Sequence, residues 1–126
     1  MTSIEPELWV ERPHDAIAFY QGAFGATVLH RVGDGDDLVA QLAVEEARFW
    51  ISSASANRPS PRANRGATGR VLLVVDDPDA IVAQACGAGA SQLSAVQDEH
   101  GWRLGRIEDP AGHEWEIGRP LGTWPP

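Results

Sequence analysis

The chain has 126 residues, 43% apolar and 22% charged, the make-up of one ordinary globular domain long enough to bury a core without staples. Its ten basic residues, all arginine, face eighteen acidic ones for a net charge of −8, which argues against a general nucleic-acid surface and suits a cationic ligand. No apolar run approaches the ~20 residues that span a bilayer, no secretory n-region and h-region open the chain, and the one cysteine, Cys86, excludes an intrachain disulfide framework. A cytoplasmic protein without membrane or nucleic-acid partners is expected.

Residues 4–10, IEPELWV, read as a strand with Leu8 and Val10 on one face and Glu5, Glu7 and Trp9 on the other. Pro6 suits an edge or a strand's beginning. Pro13 can open a helix over 13–24, in which Ala16, Ile17, Tyr20 and Phe24 share one buried face and Gly25 is the stop. Residues 26–32 read as a strand, GDGDD at 33–37 as a turn, and 38–44 with 47–52 as a hairpin around Glu45-Glu46. Residues 53–69 form a linker rich in Ser, Ala, Pro, Asn and Gly, made locally basic by Arg58, Arg62 and Arg65. It is either a solvated loop or a lid over a ligand. A strand at 70–75, a helix at 78–87 that packs Cys86, and strands at 91–97, 102–108 and 113–117 follow, with Asp109-Pro110-Ala111-Gly112 as a turn. The tail, 119–126, is read as an extended arm or a segment packed on a partner.

The chain repeats itself. A shift of 64 positions superposes Asp15 on Asp79, Ala16 on Ala80, Ile17 on Ile81, Gly25 on Gly89 and Ala26 on Ala90; with one residue gapped out, Pro13 meets Pro78 and Leu8-Trp9-Val10 meets Leu73-Val74-Val75. The expected fold class is therefore α+β, with two βαβββ modules in one domain: module one at 4–52, the linker at 53–69 and module two at 70–118.

AIAFYQGAFGA at 16–26, VVDDPDA at 74–80 and HGWRLGRIEDPAGHEWEI at 100–117 make the chain resemble the vicinal oxygen chelate superfamily, which contains the glyoxalase I, bleomycin-resistance and extradiol dioxygenase proteins. The closing GxRxGxxxDPxGHxW pattern is similar to its glyoxalase-like branch. The resemblance covers residues 4 to about 118. It implies curled sheets that form a cleft, and commonly a homodimer.

In metal-binding members, the resemblance implies ligands on the first and last strands of each module. Here Glu5 stands five residues before Val10, Arg70 five before Val75, and Leu72 three before Val75, while the closing glutamate is present as Glu116. A guanidinium stays protonated and has no lone pair to donate, and a leucine cannot ligate. No metal or other cofactor is therefore expected. The alternative is a divalent ion held by Glu5 and Glu116, with Glu7 or Glu114 assisting.

The other candidates are weaker. His113 suits a turn or the core, His14 and His100 suit solvent, and His30 is the best available proton shuttle should it face the cleft. No serine or cysteine carries a nucleophile signature, and GDGDD lacks the context of a phosphate loop or the closing ligands of an EF-hand. Trp9 beside Glu5 and Glu7 can stack on a planar or cationic molecule. The expected ligand-binding set is Glu5, Glu7, Trp9, Trp50, Arg70, Leu72, Arg103, Glu114 and Glu116, with no catalytic residue assigned. The leading reading is a metal-free binder of an aromatic or cationic organic molecule, of the bleomycin-resistance type. The rival is a metal-dependent lyase, isomerase or dioxygenase using Glu116 and Glu5, and a dimer with a purely structural or regulatory role is a third possibility.

Overall fold

The computed structural model describes residues 1–125. Pro13 supplies the fixed φ that starts α1 (Pro13–Phe24), and Gly25, at φ 69° and ψ 29°, supplies the left-handed residue that ends it. Around this helix run β1 (Glu7–Val10), β2 (Thr27–Asp34), β3 (Asp37–Val44) and β4 (Ala47–Ser53), ordered β1-β4-β3-β2 with β1 parallel to β4. The second half repeats the plan with β5 (Arg70–Val74), α2 (Pro78–Gly87), β6 (Ser91–Glu99), β7 (Trp102–Glu108) and β8 (Glu114–Pro120), ordered β5-β8-β7-β6 with β5 parallel to β8. The two βαβββ modules are thus present with identical connectivity.

The helices correspond at a shift of 65 rather than 64. Buried Pro13, Ile17 and Tyr20 match buried Pro78, Val82 and Ala85. The 64-residue shift rests on the identities Asp15/Asp79, Ala16/Ala80, Ile17/Ile81, Gly25/Gly89 and Ala26/Ala90, whereas packing follows the buried stripe. The elements differ in detail from the sequence expectation. The first strand begins at Glu7, because Pro6 has no N–H to give and contributes only its carbonyl, which accepts from the Trp50 N–H at 2.8 Å. The 33–37 turn narrows to Gly35-Asp36, since Gly33 and Asp34 pair with Leu38 and Asp37. The last strand continues to Pro120 opposite Trp102, so residues 119 and 120 belong to the sheet. Beyond it Trp124 packs edge-on to Trp102 at 5.5 Å, and Pro126 lies outside the described residues.

One core joins the modules. Leu8, Val10, Leu42 and Ile51 from sheet one share a cluster with Leu73, Ile107, Trp115 and Ile117 from sheet two. Trp115 lies 5.5 Å from Phe49, 5.6 Å from Tyr20 and 4.9 Å from Phe24, ring centre to ring centre. The sheets therefore turn their helix-bearing faces to one another, and their other faces point outward.

Two of the three segments that carry the family resemblance, 16–26 and 100–117, meet in this core. The Tyr20 hydroxyl donates to Asp109 Oδ2, which also accepts from Trp115 Nε1 at 3.0 Å; Asp109 Oδ1 accepts from the Ala111 and His113 N–H groups at 3.0 and 2.9 Å. A carboxylate only 2% exposed is thus satisfied by four donors.

The 53–69 segment is docked rather than loose. Buried Ser60 donates to Glu11, and Arg62 reaches the Pro110 carbonyl at 3.0 Å and Glu108 at 3.3 Å. Gly112, at φ 94°, makes room for it: a Cβ there would lie 2.8 Å from Arg62 N. Gly112→Ala combines a left-handed strain with a backbone clash, and should cost about 1–3 kcal/mol. We expect a lower melting temperature and faster tryptic cleavage after Arg62 and Arg65; unchanged values of both would refute this account of the docking.

Candidate functional site

Strand alternation places Glu7 and Trp9 on the outward face of sheet one, because Leu8 and Val10 are committed to the core. Glu5, just before β1, folds back over the same face. Its Oε1 accepts from Gln41 Nε2 at 2.7 Å and Trp50 Nε1 at 3.0 Å, and its Oε2 from the Ser3 hydroxyl at 2.8 Å. These donors, Ser3 foremost, hold its carboxyl below the usual range. Glu7 accepts from the Ser52 hydroxyl at 3.0 Å. Glu7 and Trp9 line a groove of about 280 Å³ whose far wall is His113 and part of the 59–69 segment. His113 Nε2 donates to the Trp9 carbonyl at 2.8 Å, which makes it a structural tie between the modules. His30 also faces outward, opposite Gln41, and is exposed.

The outward face of sheet two carries Arg70, Leu72, Glu114 and Glu116, since Leu73, Trp115 and Ile117 point into the core. Glu116 Oε2 accepts from Arg106 Nε at 3.0 Å, and its Oε1 lies 3.5 Å from Arg70 Nε. Arg106 also donates to Glu99 at 2.6 Å. That bond draws the Glu99 carboxyl below its usual range and holds the guanidinium firmly charged.

Residues 7–118 match the family model described as a glyoxalase-like domain. The chain belongs to that family. An uncharacterized protein of Mycobacterium tuberculosis is 31% identical to this glyoxalase-like protein over 127 residues, covering 94% of this chain and 75% of its own. Among solved structures, a gene product from Arabidopsis thaliana is 27% identical with a TM-score of 0.76, covering 94% of this chain and 99% of its own. TnmS3, an antibiotic binding protein from Streptomyces sp. CB03234, shares the fold at a TM-score of 0.68 and 19% identity, covering 94% of this chain and 97% of its own.

Within the glyoxalase-like frame, the expected site residues fall into two groups on two outward faces, not one. Glu5, Glu7, Trp9 and Trp50 belong to sheet one, and Arg70, Leu72, Glu114 and Glu116 to sheet two. No hydrogen bond or ion pair among the described residues links the groups. Arg103 joins neither. It lies on the helix side of β7, bidentate to Asp79 at 2.7 and 2.8 Å and bonded to Asp98 at 2.9 Å, so its donors are already engaged. Arg106, three residues on, takes the position expected of Arg103. The signal for it was present in WRLGRIE, where Ile107 fixes Gly105 and Arg103 on the core side and leaves Arg106 outward.

The donor set does not fit a resident metal ion. Glu116 has an arginine at each oxygen, Glu5 is held by three neutral donors on the other sheet, and no three His, Cys, Asp or Glu side chains converge among the described residues. A divalent ion at Glu116 would have to displace two guanidinium groups and then face their repulsion.

Proposed function

We propose that this glyoxalase-like protein binds a planar organic molecule, aromatic or cationic, without a metal ion, and works as a homodimer. The observation that carries this reading is the fate of Glu116, the one carboxylate kept at a family metal position: Arg106 and Arg70 take it up. The outward faces support the dimer. A two-fold partner that lays its sheet-two face over the sheet-one face of this chain would close a cleft with Trp9, Glu7 and Trp50 on one wall and Arg70, Leu72, Glu114 and Glu116 on the other. It would also cover Val32, 57% exposed, and Leu72 and Val74, 45% and 54% exposed. TnmS3, with the same fold, is named as an antibiotic binding protein, which supports a binding role for the fold.

Proflavine, a planar cation, is a suitable probe. It should quench tryptophan fluorescence, and Trp9→Ala should weaken it about tenfold, since stacking contributes roughly 0.5–1.5 kcal/mol beyond area burial. Purified protein should carry no stoichiometric zinc, nickel, manganese or iron, and Glu116→Gln should change proflavine affinity only modestly. Sedimentation should show a dimer at micromolar concentration. Stoichiometric metal that disappears with Glu116→Gln would overturn the reading in favour of a metalloenzyme, and a stable monomer would remove the shared cleft.

A further inference from the structure

A second cavity lies on the helix side of the fold, away from both outward faces. It measures about 310 Å³, within the range of small-ligand sites, and opens between the first turn of α1 and the Asp109 turn. Val10, Ala16, Phe19, Tyr20 and Ala111 give it an apolar floor. Three charged groups at its wall are already engaged: Glu11 by Ser60, Arg62 by Pro110 and Glu108, and Asp109 by its four donors. Two remain at the mouth, Arg12 and Asp15, both exposed and neither with a hydrogen-bond or ion-pair partner among the described residues.

The internal repeat shows that Arg12 is not required by the fold. The matching position in module two is Asp77, whose carboxylate caps α2 by accepting from the Ala80 N–H at 3.1 Å. Arg12 gives α1 no such cap and sets a cation against the positive end of the helix dipole, an arrangement that costs helix stability. A residue that weakens its own helix and stands unpartnered over an apolar cavity suits a ligand better than the fold.

We propose that this cavity binds an apolar α-amino acid. The ligand carboxylate meets Arg12, the ammonium meets Asp15, and the side chain enters the pocket floored by Ala16, Phe19 and Tyr20. A ligand with one charge only leaves either Arg12 or Asp15 without a partner and so binds less well. One free charge of each sign, rather than two alike, is what selects a zwitterion.

The test uses L-phenylalanine, with phenylacetate and phenethylamine as its two half-molecules. Titration followed by amide resonances should move Ala16, Phe19 and Ala111, leave Trp9 and Glu116 in place, and saturate with a dissociation constant of about 1 mM or tighter. Each half-molecule should bind about tenfold more weakly or worse. Arg12→Gln should abolish the preference for phenylalanine over phenethylamine, and Asp15→Asn the preference over phenylacetate. Both residues are exposed, so the folded state is checked by an unchanged amide spectrum elsewhere. The proposal is overturned if phenylalanine does not saturate below about 10 mM, if the half-molecules bind as well as the whole, or if the variants keep the wild-type preferences. Trp9→Ala should leave phenylalanine binding unchanged, so failure here is distinct from failure of the outward-face site.

Discussion

Asp109→Ala should destabilise the protein by about 4 kcal/mol. The substitution removes one acceptor group and orphans four donors: the buried Tyr20 hydroxyl and Trp115 indole N–H, and the part-buried Ala111 and His113 amides. Each orphaned donor costs about 1–3 kcal/mol, partly recovered where water can enter. A loss near 4 kcal/mol is large against the 5–15 kcal/mol typical of a domain, and corresponds to a melting temperature roughly 10–20 °C lower at fixed protein concentration. Asp109→Asn should also destabilise, because its NH2 group would face donors. Glu46→Ala, in the exposed turn between β3 and β4, should stay within about 0.5 kcal/mol of wild type. A wild-type denaturation midpoint for Asp109→Ala would show that the carboxylate does not join the modules as described.

That network explains why the fold could be read from the sequence. Tyr20 and Asp109 are 89 positions apart, yet they stand in two of the three segments that suggest the family, and they form one hydrogen-bonded pair in the core. Punctuation residues, Pro13, Pro78 and Gly25, fixed the element boundaries because they act through local backbone chemistry. Identity matching misplaces the helix register by one residue: it sets buried Ile17 on Ile81, whereas its buried counterpart in α2 is Val82. The buried stripe was the better guide.

The site was legible face by face and not as an assembly. Alternation assigned Glu7 and Trp9 to one side of β1 and Glu114 and Glu116 to one side of β8, and both assignments hold. The single-cleft expectation failed within one chain for a tertiary reason. The two sheets share a core through their helix sides, and nothing in the period of a strand says which way the sheet carrying it will be turned. Arg103, expected in the ligand set, lies with Ile107 on the core side of β7, where its guanidinium pairs with the helix layer. Its partner Asp79 lies on α2, 24 residues away.

Alkaline pH should destabilise this protein through one side chain. Tyr20 is the chain's only tyrosine and is 1% exposed. Burial first, and then the Asp109 carboxylate beside it, push its phenol well above the ordinary value near 10. The unfolded chain loses that proton near pH 10, while the folded chain keeps it. The unfolded state therefore binds fewer protons above that point, and stability, complete below pH 10, falls by about 1.4 kcal/mol for each further pH unit. The loss should keep growing with pH for as long as the folded phenol holds its proton. Tyrosinate absorbance can come from Tyr20 alone, so it should stay absent in the folded protein and rise together with the loss of secondary structure. Tyr20→Phe should begin less stable at neutral pH, because Asp109 loses a donor, yet lack this alkaline slope. Tyrosinate forming near pH 10 in protein that keeps its fold would mean that Tyr20 is open to solvent and that the joint between the modules is not sealed.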